Sequence, residues 1–221
     1  MNRTLEQIKQ SCRGIPPGLM DMMDARGDDV AGHCKRVALM AHILAGEMGM
    51  SHGEVNAIAQ SALLHDIGKI VIPSVILLKQ GSLTVREWRV MKSHSQLGYD
   101  ILRAYPALEK TSEAVYSHHE RFDGTGYPRG LRGGEICMEA RVLGVIDTYD
   151  AIRSNRAYAS GRSVEKAVQQ IVLGRGKQFD PRIVDAFLRC QSRIESCIEG
   201  NKNAGMAGYP TRPPSTKPGR A

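Results

Sequence analysis

The sequence predicts an all-α fold, and three observations carry that prediction. Apolar residues recur at helical spacing along most of the chain, no alternating apolar-polar strand of convincing length appears, and helix-starting signatures stand where the periodic segments begin. With 221 residues, 42% of them hydrophobic, the chain suits one compact domain with a substantial core. The single Trp and three Phe argue against an aromatic platform for nucleic acid.

Residues 1–27 contain a Pro16-Pro17 step flanked by glycines and read as a loop or short helix before the main body. From Val30 to Met50, Val37, Ala41, Leu44 and Met48 recur on one helical face. Ser51 and Glu54 form a capping box that opens the next helix, and Thr84 with Glu87 opens another, read as continuing to Tyr105. Helical patterns follow over 107–120, 139–154, 163–176 and 180–199. The last has Asp180 as N-cap and Pro181 at the first helical position. The segment from Gly200 to Ala221 is rich in Gly, Pro, Lys and Arg and is expected to be disordered, leaving 28–198 as the domain and 199–221 as a basic tail. No internal repeat is visible.

The formal charge is +7, but part of that excess lies in the tail, so no specific nucleic-acid partner is expected. Five scattered cysteines without a CxxC pair support neither a disulfide framework nor a zinc knuckle, which favours a reducing, cytoplasmic setting. No apolar run is long enough to span a bilayer, and the first residues lack a signal-peptide core.

The chemistry lies in the histidines. Set against the expected helices, His33 opens one, His65 and Asp66 end the next, His94 lies near a third start and His118 with His119 ends a fourth. Asp147 falls midway along a fifth. His42 and His52 lack acidic or histidine neighbours and read as ordinary helix residues. Five imidazoles and two carboxylates suit iron, manganese, zinc or nickel. Successive helical residues diverge by about 100°, so the adjacent pairs are expected to serve two metals, one on each side. Two such ions would activate water and neutralise phosphoryl charge, with Lys69 adding a further cation one turn after His65.

At these residues the sequence resembles a known family. His65-Asp66-Ile67-Gly68-Lys69, the Ile72–His94 segment with its Ile-Pro start and Met-Lys-x-His end, the HHERFDGTGYP run at 118–128, Arg141–Tyr158 and Gln178–Pro181 are similar, in order and spacing, to the HD-GYP domain. The resemblance covers roughly Asp28 to Ile198. It implies a helical HD bundle and a phosphodiesterase that hydrolyses cyclic di-GMP to linear pGpG and on to GMP, by attack of metal-activated hydroxide on phosphorus. The implied metal ligands are His33, His65, Asp66, His94, His118, His119 and Asp147, with Asp66 bridging. Two or three divalent ions, iron or manganese, are implied, Asp29 standing where a ligand for a third would be.

Lys69 and Arg156 match phosphate contacts, and Asp150 an acidic residue near the substrate. Gly126, Tyr127 and Pro128 match the family's GYP loop, implicated in substrate access and in docking GGDEF-domain cyclases. Gly124 and Gly126 are expected to supply positive φ or close backbone approach. The chain departs from the family where Ala157 and Ala159 replace a Pro and a second basic residue, which implies altered substrate affinity or selectivity and leaves two alternatives open: an HD phosphohydrolase for another nucleotide or cyclic dinucleotide, or a low-turnover signalling module that binds a cyclase through the GYP loop. No receiver, PAS or GAF segment is visible ahead of the domain, so a stand-alone enzyme is expected.

Overall fold

A computed structural model describes residues 14–25, 30–154 and 164–203. The described residues are helical, joined by turns, with one isolated bridge between Arg175 and Phe179. The helices are α1 (Pro17–Asp24), α2 (Val30–Glu47), α3 (His52–Leu64), α4 (Ser74–Leu77), α5 (Val85–Lys92), α6 (His94–Leu102), α7 (Glu109–Ser117), α8 (Met138–Ser154), α9 (Val164–Leu173) and α10 (Pro181–Asn203). A 3-10 turn over Ile67–Val71 links α3 to α4.

The bundle is organised around α2. It bears Cys34, Val37, Ala38, Met40, Ala41, Leu44 and Ala45, none of them exposed, and packs against α1, α3, α8 and α10. Apolar burial on nearly every side marks a central helix rather than a surface one. In α8, Val142, Leu143, Val145, Ile146 and Tyr149 are equally buried, so two interior helices lie side by side. The Tyr149 hydroxyl donates to Glu195 Oε1 (2.6 Å), and the Arg153 guanidinium holds Glu195 Oε2 (2.7 and 3.0 Å), tying α8 to α10.

Local signals place the helix starts as expected. Ser51 with Glu54 and Thr84 with Glu87 form reciprocal capping boxes. Asp180 Oδ1 accepts from the Arg182 amide (2.9 Å) ahead of Pro181. Three expectations are corrected. The helix read from Thr84 to Tyr105 breaks at Ser93, whose amide reaches back to the Val90 carbonyl (3.1 Å) and whose hydroxyl donates to the same oxygen (2.7 Å), closing α5 with a tight turn. The last helix runs on through Asn203, so Gly200 lies inside it rather than at the start of a tail. At the other end, Ile15, Leu19 and Met23 are buried in the common core, so α1 belongs to the bundle although it precedes residue 28.

Candidate metal centre

Five separate segments deliver imidazole or carboxylate to one buried point. His33 comes from the first turn of α2, His65 and Asp66 from the end of α3, His94 from the start of α6, His118 and His119 from the end of α7, and Asp147 from the middle of α8. The 3-10 turn after Asp66 lies directly against α6: a Cβ on Gly68 would overlap the His94 carbonyl and crowd the Gly98 amide. Only glycine permits this approach, which sets the distance between the His65-Asp66 pair and His94.

Three histidines share one device. His65 and His118 are the C-cap residues of α3 and α7, and His94 stands just beyond the C-cap of α5. Carbonyls at a helix end lack intrahelical donors. The Nδ1–H of His65 donates to Ala62 O (2.8 Å), that of His94 to Met91 O (2.7 Å) and that of His118 to Val115 O (2.7 Å). Each bond fixes the tautomer and turns an Nε2 lone pair into the site, as a metal ligand requires.

The donor atoms form two triads, His94/His118/His119 and His33/His65/Asp66. In the first, His94 Nε2 stands 3.3 Å from His118 Nε2 and 3.1 Å from His119 Nε2. Two nitrogens bound to one ion at about 2.1 Å stand about 3.0–3.4 Å apart for angles between octahedral and tetrahedral. Burial pushes all three imidazoles towards the neutral form, His118 well down and His119 to about 4, with the neighbouring rings adding to the effect. Converging neutral lone pairs repel one another unless a cation lies between them. The buried Nε2 of His65 has no hydrogen-bond partner either, although burial's pull towards the neutral form is outweighed there by the Asp66 carboxylate 3.4 Å away. The donor set and its spacing therefore fit divalent metal.

Acidic groups dominate the second triad. His33 Nε2 lies 3.0 Å from Asp147 Oδ1, and its Nδ1 donates to Asp150 Oδ2 (2.7 Å). Burial opposes a charge on His33, but these two carboxylates overcome it and raise its pKa to about 9. Burial also opposes ionisation of Asp147, yet the His33 hydrogen bond takes its carboxyl down to about 2. Asp66 straddles the triads, with Oδ2 3.4 Å from His65 Nε2 and Oδ1 3.6 Å from His94 Nε2. Lys69 Nζ donates to Asp66 Oδ2 (2.6 Å) and, against the cost of burial, helps hold that carboxylate well below its ordinary range.

The structure thus gathers His33, His65, Asp66, Lys69, His94, His118, His119 and Asp147. One expectation changes. His118 and His119 do not divide between the triads: they fall together in the first, their ring centroids 3.9 Å apart. Asp150, expected near the substrate, is fully buried and is engaged by His33 (2.7 Å) and by Arg36 (3.1 Å). Asp29, Arg156, Ala157 and Ala159 lie outside the described residues.

The GYP loop packs on the first triad. Tyr127 stacks on His119 with centroids 4.8 Å apart, the Tyr127-Pro128 bond is cis, and Pro128 is exposed. Gly124 has φ +81°, whereas Gly126 serves close approach: a Cβ there would overlap the Glu120–Arg121 backbone. Sequence reasoning missed Glu120. Its carboxylate accepts from the amides of Arg129 (2.7 Å) and Leu131 (3.1 Å), pinning the loop's far side. The only signal was an acidic residue directly after the histidine pair.

Such a bundle, with imidazoles and carboxylates from helix ends meeting at paired triads, defines a class of helical domain suited to divalent metal. The HD domain model matches residues 17–183, and with its GYP loop the chain belongs to the HD domain family, in the HD-GYP branch. The chain is 39% identical over 189 residues to a cyclic di-GMP phosphodiesterase of Thermotoga maritima, covering 85% of this chain and 51% of that protein. It is 36% identical over 194 residues to a cyclic di-GMP phosphodiesterase response regulator of Xanthomonas campestris, covering 87% and 51%. The chain therefore spans about half the length of these relatives. Among solved structures, the PgpH phosphodiesterase HD domain of L. monocytogenes in complex with cyclic-di-AMP superposes with TM-score 0.61 at 13% identity, covering 85% of this chain and 99% of that one. At that identity the likeness concerns the fold alone.

Proposed function

We propose that the protein is a metal-dependent phosphodiesterase that hydrolyses cyclic di-GMP to pGpG, GMP or both. One observation carries the reading: a triad of neutral imidazoles and a triad of carboxylate-paired groups meet at Asp66, which belongs to the second and reaches His94 of the first. The relatives' names supply the substrate.

His94, His118 and His119 would hold one ion and His33, His65 and Asp147 the other, with Asp66 between them. Iron or manganese suits this nitrogen and oxygen set, with Asp29 as a candidate ligand for a third ion. When bound, such ions lower the pKa of water to roughly 7 and neutralise phosphoryl charge. The residues supply the rest. Backbone carbonyls lock the ligating tautomers, Asp150 orients His33, and Lys69 offers its ammonium to a developing phosphoryl charge. Tyr127 closes one side of the site, and burial raises its phenol further above its ordinary range, so it stays a neutral hydrogen-bond donor. Arg156 is the proposed orienting group for substrate phosphate, and the GYP loop the proposed docking point for GGDEF-domain proteins. Among the described residues no helix is long and apolar enough to cross a membrane. The cytoplasm, with its reducing conditions, is the proposed setting.

Anaerobic purification with metal analysis, then chromatography of products after incubation with cyclic di-GMP under Mn and Fe loading, tests the reading. Two or more ions per chain and appearance of pGpG or GMP are expected, with both lost in the His65→Ala, Asp66→Ala double variant. Metal-loaded, folded protein that leaves every cyclic dinucleotide intact would sink it.

A further inference from the structure

Lys92 is the last residue of α5, two positions before His94. A basic residue at a helix C-terminus is commonplace, since it favours the dipole. Its side chain does more than that. The ammonium folds back over the ring of Tyr127, 4.8 Å from the centroid, and stands 5.7 Å from the ring of Trp88 one turn earlier. Tyr127 in turn stacks on His119. Two aromatic faces thus hold a positive charge no more than about 10 Å from a ligand of the first triad.

Three other cations of this region have carboxylate partners: Lys69 is paired with Asp66, Arg121 with Asp123 and Arg129 with Glu113. Lys92 has no carboxylate within ion-pair distance among the described residues. An ammonium held by ring quadrupoles alone keeps its full charge for an incoming anion.

A cyclic dinucleotide carries two phosphodiesters on opposite sides of one macrocycle. When one lies against the paired triads, the other must find a partner beyond them, at a distance set by the ligand and not by the chemistry. We infer that Lys92, positioned by Tyr127 and Trp88, binds the second, non-reacting phosphate and so selects cyclic dinucleotides over substrates with a single phosphate. The inference rests on the phosphodiesterase reading and adds a specificity-determining residue to it.

The test compares wild type, Lys92→Met and Lys92→Arg, all Mn-loaded, on cyclic di-GMP and on bis(4-nitrophenyl) phosphate, a diester with one phosphorus. In Lys92→Met, KM for cyclic di-GMP rises about tenfold or more with a smaller change in kcat, and Lys92→Arg recovers most of it. Turnover of bis(4-nitrophenyl) phosphate and metal content stay at the wild-type level. Equal loss on both substrates would assign Lys92 to holding Tyr127 and overturn the inference. No loss on either would overturn it while leaving the phosphodiesterase reading intact. A wild type that cleaves bis(4-nitrophenyl) phosphate but no cyclic dinucleotide would remove the reading and the inference together.

Discussion

Asp150 holds the Nδ1 edge of His33 while Arg36 holds Asp150, so a carboxylate outside either triad decides which way a ligand faces. Partners of this kind typically change metal affinity 10- to 100-fold when altered. Asp150→Asn is therefore expected to lower affinity for Mn by about that factor with the far-ultraviolet dichroism unchanged. Isothermal titration checks it, and wild-type affinity would deny Asp150 a positioning role. Gly68 is fixed by space instead of charge. Its hypothetical Cβ meets backbone of α6, which cannot swing aside. Gly68→Ala should cost about 3 kcal/mol or more in denaturant unfolding, the range of severe overpacking.

Elements were legible where their determinants are local. The capping boxes at Ser51 and Thr84 and the Asp180-Pro181 start need only three or four consecutive residues, and each appears where the sequence places it. The break at Ser93 sits beside the contact of α6 with the Gly68 turn, a contact between segments that no periodicity reports. The ligand types were readable from the same local signals, because histidines next to helix ends stand out in sequence. Their grouping was not, since it joins segments far apart in sequence. The inward orientation of Asp150 was likewise hidden, being set by α2, far away in sequence. The GYP loop shows the same division: its glycines were visible, its anchor was not. Glu120→Ala removes the acceptor of two backbone amides, so faster hydrogen exchange at Arg129 and Leu131 is expected, with amides of α2 and α8 still protected. Unchanged exchange at both positions would count against the anchor.

For the molecule as a whole, acid stability has an identifiable source. The buried carboxyl of Asp180 accepts from Arg141 Nη1 (2.8 Å) and the Arg182 amide, and these partners overcome burial to hold its pKa below the ordinary range. A depressed folded pKa gives stability that is complete above the unfolded value, about 4, and is lost as pH falls through the folded one. Denaturant midpoints should therefore decline below about pH 4, and less steeply in Asp180→Asn; parallel slopes would assign the decline to other carboxylates. The clamp from Tyr149 and Arg153 to Glu195 bears on how the chain can be cut. A fragment trimmed at residue 183, where the family match ends, would still encode both triads. It would also strand a buried phenol and a buried guanidinium on the helix that carries Asp147. For anyone transplanting this domain into a fusion or an expression vector, the boundary drawn by homology is thus shorter than the unit that folds.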